Sequence, residues 1–193
     1  MKNVILSFVL ALCMTLGASA ASASATPDPE NTIYLDLKYG RVVIQLRPDL
    51  APGHVARIKE LTRQGFYDGL LFHRVIDGFM AQTGDPEGRG TGGSGTKLRA
   101  EFSDAHFGRG TVGMARAQPL DSADSQFFIC FKDSGFLDGQ YTVWGQVTSG
   151  MEYVDQIVRG EPPVTPDKIV KMQVAADADK PAPAPAPLTE EGQ

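Results

Sequence analysis

Cysteine is nearly missing from this chain, which has Cys13 and Cys130 in 193 residues. Cys13 lies inside an N-terminal apolar run, so a processed chain would keep one thiol, and a disulfide framework is excluded. Stability has to come from a packed core. Cys130 stands in the apolar run Phe127 to Phe131 and reads as a small buried hydrophobe. The three histidines, His54, His73 and His106, are far apart and lack ligand spacing, which argues against a metal site. No block of Lys or Arg stands out and the net charge is −5, so nucleic acid is not an expected partner. Neither Ser94 nor Ser125 has the strand-turn-helix context of a hydrolase nucleophile.

The N-terminus carries one Lys, an apolar stretch from Val4 to Leu16, and then small residues in an Ala-x-Ala pattern. That is the pattern of a secretory signal peptide over residues 1–25, with cleavage after Ala20, Ala23 or Ala25 fitting equally well. The stretch is shorter than the ~20 residues a membrane span needs, so stable membrane insertion is not expected. Leu12 stands before Cys13 where a lipid-acceptor site would want a small residue. Loss of Lys2 on cleavage takes the net charge from −5 to −6. At the other end, residues 176–193 alternate Pro and Ala at Pro181, Pro183, Pro185 and Pro187 and close on Glu190 and Glu191. That composition cannot bury enough surface to fold and is expected to be a disordered tail, either a solubilising extension or a semi-rigid spacer.

Residues 30–175 suit one domain. Ile33 to Asp36 and Arg41 to Leu46 flank Tyr39-Gly40 as a hairpin. Pro52 opens a helix that carries Val55, Ile58 and Leu61 on one stripe and runs to about Gln64, before Gly65. A second helical pattern covers Met151 to Val158, with Tyr153 or Val154 and Ile157 or Val158 inward. Short β runs with Gly-rich turns fill the interval, a balance that fits a barrel or a sandwich. Gly90 to Gly95 has the spacing of a dinucleotide fingerprint but no helix after it, so a mobile loop is expected there, followed by an extended Thr96 to Phe102.

The run Phe72 to Asp85, FHRVIDGFMAQTGD, sets one arginine and one glutamine among aromatic and sulfur side chains. Side chains alternate along an extended chain, so Phe72, Arg74 and Ile76 should share one side, and Met80 and Gln82 one side after the Gly78 bend. The pattern reads as a binding floor. In Ser125 to Cys130, SQFFIC, the same alternation puts Gln126 and Phe128 on one face and Phe127 and Ile129 on the other. With Met114 to Ala117, MARA, and Phe136 to Val147, FLDGQYTVWGQV, these runs resemble the cyclophilin-type peptidyl-prolyl isomerases over Thr32 to Val174.

The resemblance implies a mostly-β fold, a closed eight-stranded antiparallel β-barrel flanked by two α-helices. It implies cis-trans isomerisation of X-Pro bonds in proline-containing chains, without a cofactor; a monomer is expected. Such rotation is slow because it breaks amide resonance at a barrier of about 18–20 kcal/mol. A site that binds the twisted amide better by about 5 kcal/mol accelerates it several thousandfold. Arg74 matches the family's donor to the prolyl nitrogen, and its guanidinium stays protonated. Phe79, Met80, Phe128 and Leu137 match the proline pocket, Gln82 the amide that bonds substrate backbone, and Ala115, Arg116 and Ala117 the strand that pairs with the peptide. Gln126 lies on the groove face. Phe136 and Tyr141 stand where eukaryotic members have tryptophan and histidine; bacterial secreted members often look like this, so a periplasmic or secreted location is expected. Phe136 lacks the indole N–H that helps hold cyclosporin, which implies weak inhibition. The rival expectations are a holdase using the same groove with incidental turnover, and a structural partner recruited through the Pro-Ala tail.

Overall fold

A computed structural model describes residues 28–178. The expected signal segment, and the tail from residue 179 on, lie outside the described residues. A 3-10 turn at Ala175–Asp177 follows the last strand.

Eight strands form one antiparallel sheet: β1 Thr32–Leu37, β2 Gly40–Leu46, β3 Arg74–Ile76, β4 Met80–Thr83, β5 Thr111–Met114, β6 Phe127–Cys130, β7 Val143–Ser149 and β8 Lys171–Val174. Their spatial order is β3-β4-β6-β5-β7-β2-β1-β8. The first hairpin registers Leu37 against Gly40, so the turn residues are Lys38 and Tyr39. Helix α1, Pro52–Arg63, buries Val55, Ile58 and Leu61 as its stripe predicts. Its N-terminal amides at Gly53 and His54 donate to the Glu101 carboxylate at 2.9 Å each, a long-range cap where Ala51 supplies none.

The sheet is open and curled; the expectation of a closed barrel is corrected here. No ladder joins edge strands β3 and β8 among the described residues; isolated bridges Leu71 with Lys168 and Val75 with Gly160 span the seam. The Asp68 carboxylate, 104 positions away along the chain, takes the Met172 N–H at 2.8 Å and so covers the free edge of β8 with a side chain. Helix α2 is also shorter than the periodicity predicts, covering Met151–Val154. Asp167 accepts the Val158 N–H at 2.9 Å and draws the chain out of helix, although Val154 and Ile157 do face inward. Thr96 to Phe102 holds only a bridge from Leu98 to Ala123.

Alternation sorts the strands into two apolar clusters. Phe127, Ile129, Ala81, Val112 and Trp144 fill the curl of the sheet, while Met80, Phe128, Cys130, Phe107, Leu137 and Val143 form a smaller cluster on the other face. Cys130 belongs to the latter, fully buried, and burial pushes its thiol up to about 12. Phe72 departs from the expected binding floor. It is fully buried in the main core because β3 begins only at Arg74, so the alternation does not extend back to it.

Candidate functional site

Strand register builds the site. Arg74 of β3 lies opposite Gln82 of β4, Gln82 opposite Phe128 of β6, and Phe128 opposite Gly113 of β5. Directly opposed side chains in an antiparallel sheet are close enough to touch, so this register lays one continuous row across four strands. Arg74 donates from Nε to Glu161 Oε1 at 2.8 Å and from Nη1 to Gln82 Oε1 at 3.3 Å. Gln82 in turn donates to Gln126 Oε1 at 2.9 Å, and Gln126 donates to the Gly92 carbonyl at 2.8 Å. Each amide has a donor on one side and an acceptor on the other, which fixes its orientation.

Beside this polar row opens a cavity of about 380 Å³ lined by Arg74, Phe79, Met80, Gln82, Ala115, Arg116, Phe128, Phe136, Leu137, Gln140 and Tyr141. Met80, Phe128 and Leu137 form its buried floor, and Phe136 stands 65% exposed at the rim, so the apolar surface is reachable from solvent. The Phe79 and Phe136 rings lie 5.2 Å apart, and Tyr141 meets Phe128 edge-on at 5.9 Å. Gly113 has to lack a side chain here, since a Cβ would come within 2.5 Å of the Phe128 ring and 2.6 Å of Phe107. Those two rings stack at 5.8 Å beneath the cavity.

Ala117 and Gln126 line a neighbouring hollow of about 160 Å³ that shares Gln82, Ala115 and Arg116 with the first and reaches Gly90 to Gly92, Lys97 and Asp124. The expectation that Ala115 to Ala117 form a strand is corrected, as β5 ends at Met114. One further rung survives, with the Ala115 N–H donating to the Gln126 carbonyl at 2.9 Å. The Arg116 side chain then donates to the carbonyls of Gln140 and Ala117 and lies 4.6 Å from the Tyr141 ring centre. It braces the cavity wall as well as contributing backbone. Sequence reasoning missed Gln140 and Glu161. The latter stands 87 positions from Arg74, in a proline-rich stretch with no periodicity to flag it.

The glycine-rich loop is tethered. Asp85, 1% exposed, accepts the N–H groups of Glu87, Arg89, Gly90 and Thr91, and Asp124 accepts both the N–H and hydroxyl of Ser94 at 2.6 Å. His73 is buried beside it with neither ring nitrogen bonded, and desolvation lowers its proton affinity.

A second tether holds the turn Gly135–Leu137, which carries Phe136 and Leu137. His106 Nδ1 and Nε2 lie 2.7 Å from Asp138 and Asp133 respectively, and Phe107 N–H donates to Asp138 at 2.8 Å. Hydrogen bonding to Asp138, then to Asp133, raises the His106 proton affinity above its ordinary 6.5, while His106 lowers both carboxylates. The raised group contributes fully below 6.5 and loses its contribution as pH rises through its folded value; the lowered carboxylates contribute above their ordinary range and lose theirs as pH falls. The amide shifts of Phe107 and Gly135 are therefore expected to titrate with a midpoint above 6.5, and His106→Gln to abolish that titration. A midpoint at or below 6.5 contradicts the clamp.

The cavity thus offers an apolar pocket with a fixed guanidinium at its edge, and among the described residues no carboxylate, thiol or imidazole lines it. Such a site suits binding a distorted neutral amide better than it suits nucleophilic attack. Residues 32–174 match the family described as "Cyclophilin type peptidyl-prolyl cis-trans isomerase/CLD". The "Probable peptidyl-prolyl cis-trans isomerase" of Brucella suis biovar 1 (strain 1330) is 52% identical over 85% of this chain and 92% of its own. Peptidyl-prolyl cis-trans isomerase B of Bacillus subtilis (strain 168) is 43% identical over 63% of this chain and 85% of its own. Among solved structures, cyclophilin AquaCyp293 from Hirschia baltica gives a TM-score of 0.72 at 29% identity, covering 78% of this chain and 76% of that one. A Cryptosporidium parvum cyclophilin-type isomerase, crystallised in the presence of the dipeptide Ala-Pro, gives 0.69 at 26% identity over 74% and 98%. The family match begins at the first residue of β1 and ends at the last of β8, and this chain belongs to the cyclophilin-type peptidyl-prolyl cis-trans isomerases.

Proposed function

We propose that the cavity beside Arg74 receives the proline ring of an extended chain and that Arg74 donates to the prolyl nitrogen as the amide twists. The observation that carries this is the placement of the guanidinium, hydrogen-bonded to Gln82 at the mouth of an apolar pocket. As resonance is lost, the nitrogen becomes pyramidal and gains a lone pair, so a donor already in place favours the twisted state over either planar one. The pocket removes water from around that bond and strengthens it. Gln82 offers its amide to the substrate backbone, Phe79, Met80, Phe128, Leu137 and Tyr141 hold the ring, and the Ala115 to Ala117 segment with Gln126 takes the residues before proline.

The substrates are proline-containing segments of exported chains, and the protein acts on them as a monomer in the periplasm. The N-terminal apolar run with its Ala-x-Ala close supports that location. The test is the cis-trans exchange rate of a short Ala-Pro peptide with purified protein, together with fractionation of cells producing the full chain. Strong acceleration supports the enzyme reading; tight binding of the peptide without acceleration points to a holdase, and unimpaired cellular function without residues 176–193 removes the tail-recruitment reading.

Cyclosporin should bind weakly, because Phe136 has no N–H to donate. Phe136→Trp is expected to tighten binding by about tenfold, the upper worth of one net hydrogen bond. Nanomolar affinity of the unmodified protein in a calorimetric titration contradicts this.

A further inference from the structure

We infer that Glu161 is a positioning residue for the isomerisation, clamping the Nε edge of Arg74 so that the other end of the guanidinium is aimed into the groove. The inference rests on the reading of Arg74 as the donor to the prolyl nitrogen.

The backbone delivers Glu161 to this place. Val75 and Gly160 exchange both main-chain hydrogen bonds, each 2.8 Å, as a single antiparallel bridge on the outer edge of β3. In an antiparallel pair the residue before one member lies opposite the residue after the other, so Arg74 faces Glu161. The cross-sheet row therefore continues one position beyond the last strand, reading Glu161, Arg74, Gln82, Phe128. Gly160 is needed for this turn: its φ is +150°, and a Cβ would stand 2.4 Å from the Pro163 Cα. Pro162 and Pro163 follow and limit the backbone freedom of the segment that presents the carboxylate.

The division of Arg74's donors then has a purpose. Glu161 takes Nε and Gln82 takes Nη1, while Nη2 has no protein acceptor among the described residues. An arginine side chain has several rotatable bonds, and two acceptors, Gln82 on β4 and Glu161 in the segment beside β3, hold its plane in one orientation. The pair is half-exposed, with the two side chains 42% and 52% accessible, so it contributes little to folding. Its expected effect is on the reaction.

The experiment measures kcat and KM for a short Ala-Pro peptide by exchange NMR, with thermal melting alongside, for the unmodified protein, Glu161→Gln, Glu161→Asp, Arg74→Ala and the Arg74→Ala/Glu161→Gln double variant. Glu161→Gln is expected to lower kcat roughly three- to tenfold with KM and the melting temperature little changed, a loss confined to the twisted state. Glu161→Asp should recover part of it, and in the Arg74→Ala background the Glu161→Gln change should have no further effect. An unchanged or raised kcat in Glu161→Gln, or an equal loss in the double variant, overturns the inference while leaving Arg74 in place. Near-normal turnover by Arg74→Ala overturns the donor reading itself, and the positioning role with it.

Discussion

Arg74→Ala is expected to lower kcat/KM for an Ala-Pro peptide by about a hundred- to a thousandfold, the usual consequence of removing one preorganised donor from a desolvated site. Its stability should barely change. Arg74 is on an edge strand, its ion pair with Glu161 is exposed, and such pairs contribute only ~0–1 kcal/mol to folding. Melting temperature and activity should therefore separate, which a merely structural arginine would not allow. Arg74→Lys should also fail to restore the rate, because an ammonium cannot divide a planar set of donors between Glu161, Gln82 and the groove. Activity of Arg74→Ala within about threefold of the unmodified protein, less than ~0.7 kcal/mol of barrier, would assign the rate to the apolar cavity alone.

The parts of this site that the sequence displayed are those set by two-residue alternation inside one strand. In β6 that rule sends Phe127 and Ile129 to the main core and Phe128 and Cys130 to the smaller cluster, as observed. It also brings Arg74 opposite Gln82, since the Gly78 bend folds β3 and β4 into a hairpin. What the sequence hid depends on partners far along the chain. Asp68 takes the free edge of β8 at Met172, and Asp167 takes the Val158 N–H and keeps α2 from continuing past Val154; each is a single carboxylate overriding a local pattern. Phe72 looked like groove floor because nothing in FHRV marks where pairing begins, and it proved to be core. Glu161 was invisible for the same reason, its role being defined by a bridge between Val75 and Gly160.

Asp85→Ala is expected to destabilise the protein by about 3 kcal/mol, since a buried carboxylate bonded to several backbone donors contributes roughly 1.5–3 kcal/mol per charged bond before the loop relaxes. For a domain of this size that corresponds to a fall of roughly 6–12 °C in melting temperature. The Ala side chain leaves the N–H groups of Glu87, Arg89, Gly90 and Thr91 without their shared acceptor. Asp85→Asn should lose less, since one amide oxygen still accepts. The pH dependence has a definite sign. Burial pushes the Asp85 carboxyl upward, but the backbone N–H bonds outweigh it and hold the group below its ordinary 3.8. Its contribution is present above that value and lost as pH falls through the lower folded one, so the unmodified protein and Asp85→Ala should converge in stability toward strong acid. Catalysis should suffer as well, because the loop carries the Gly92 carbonyl that receives Gln126, and Gln126 in turn orients Gln82. A melting temperature within about 2 °C of the unmodified protein would mean that Asp124 and its bonds to Ser94 hold the loop unaided. The glycines that gave this loop the look of a phosphate cradle then have a different purpose: Gly92 leaves room for the carboxylate, since a Cβ there would stand 2.2 Å from Asp85 Oδ1.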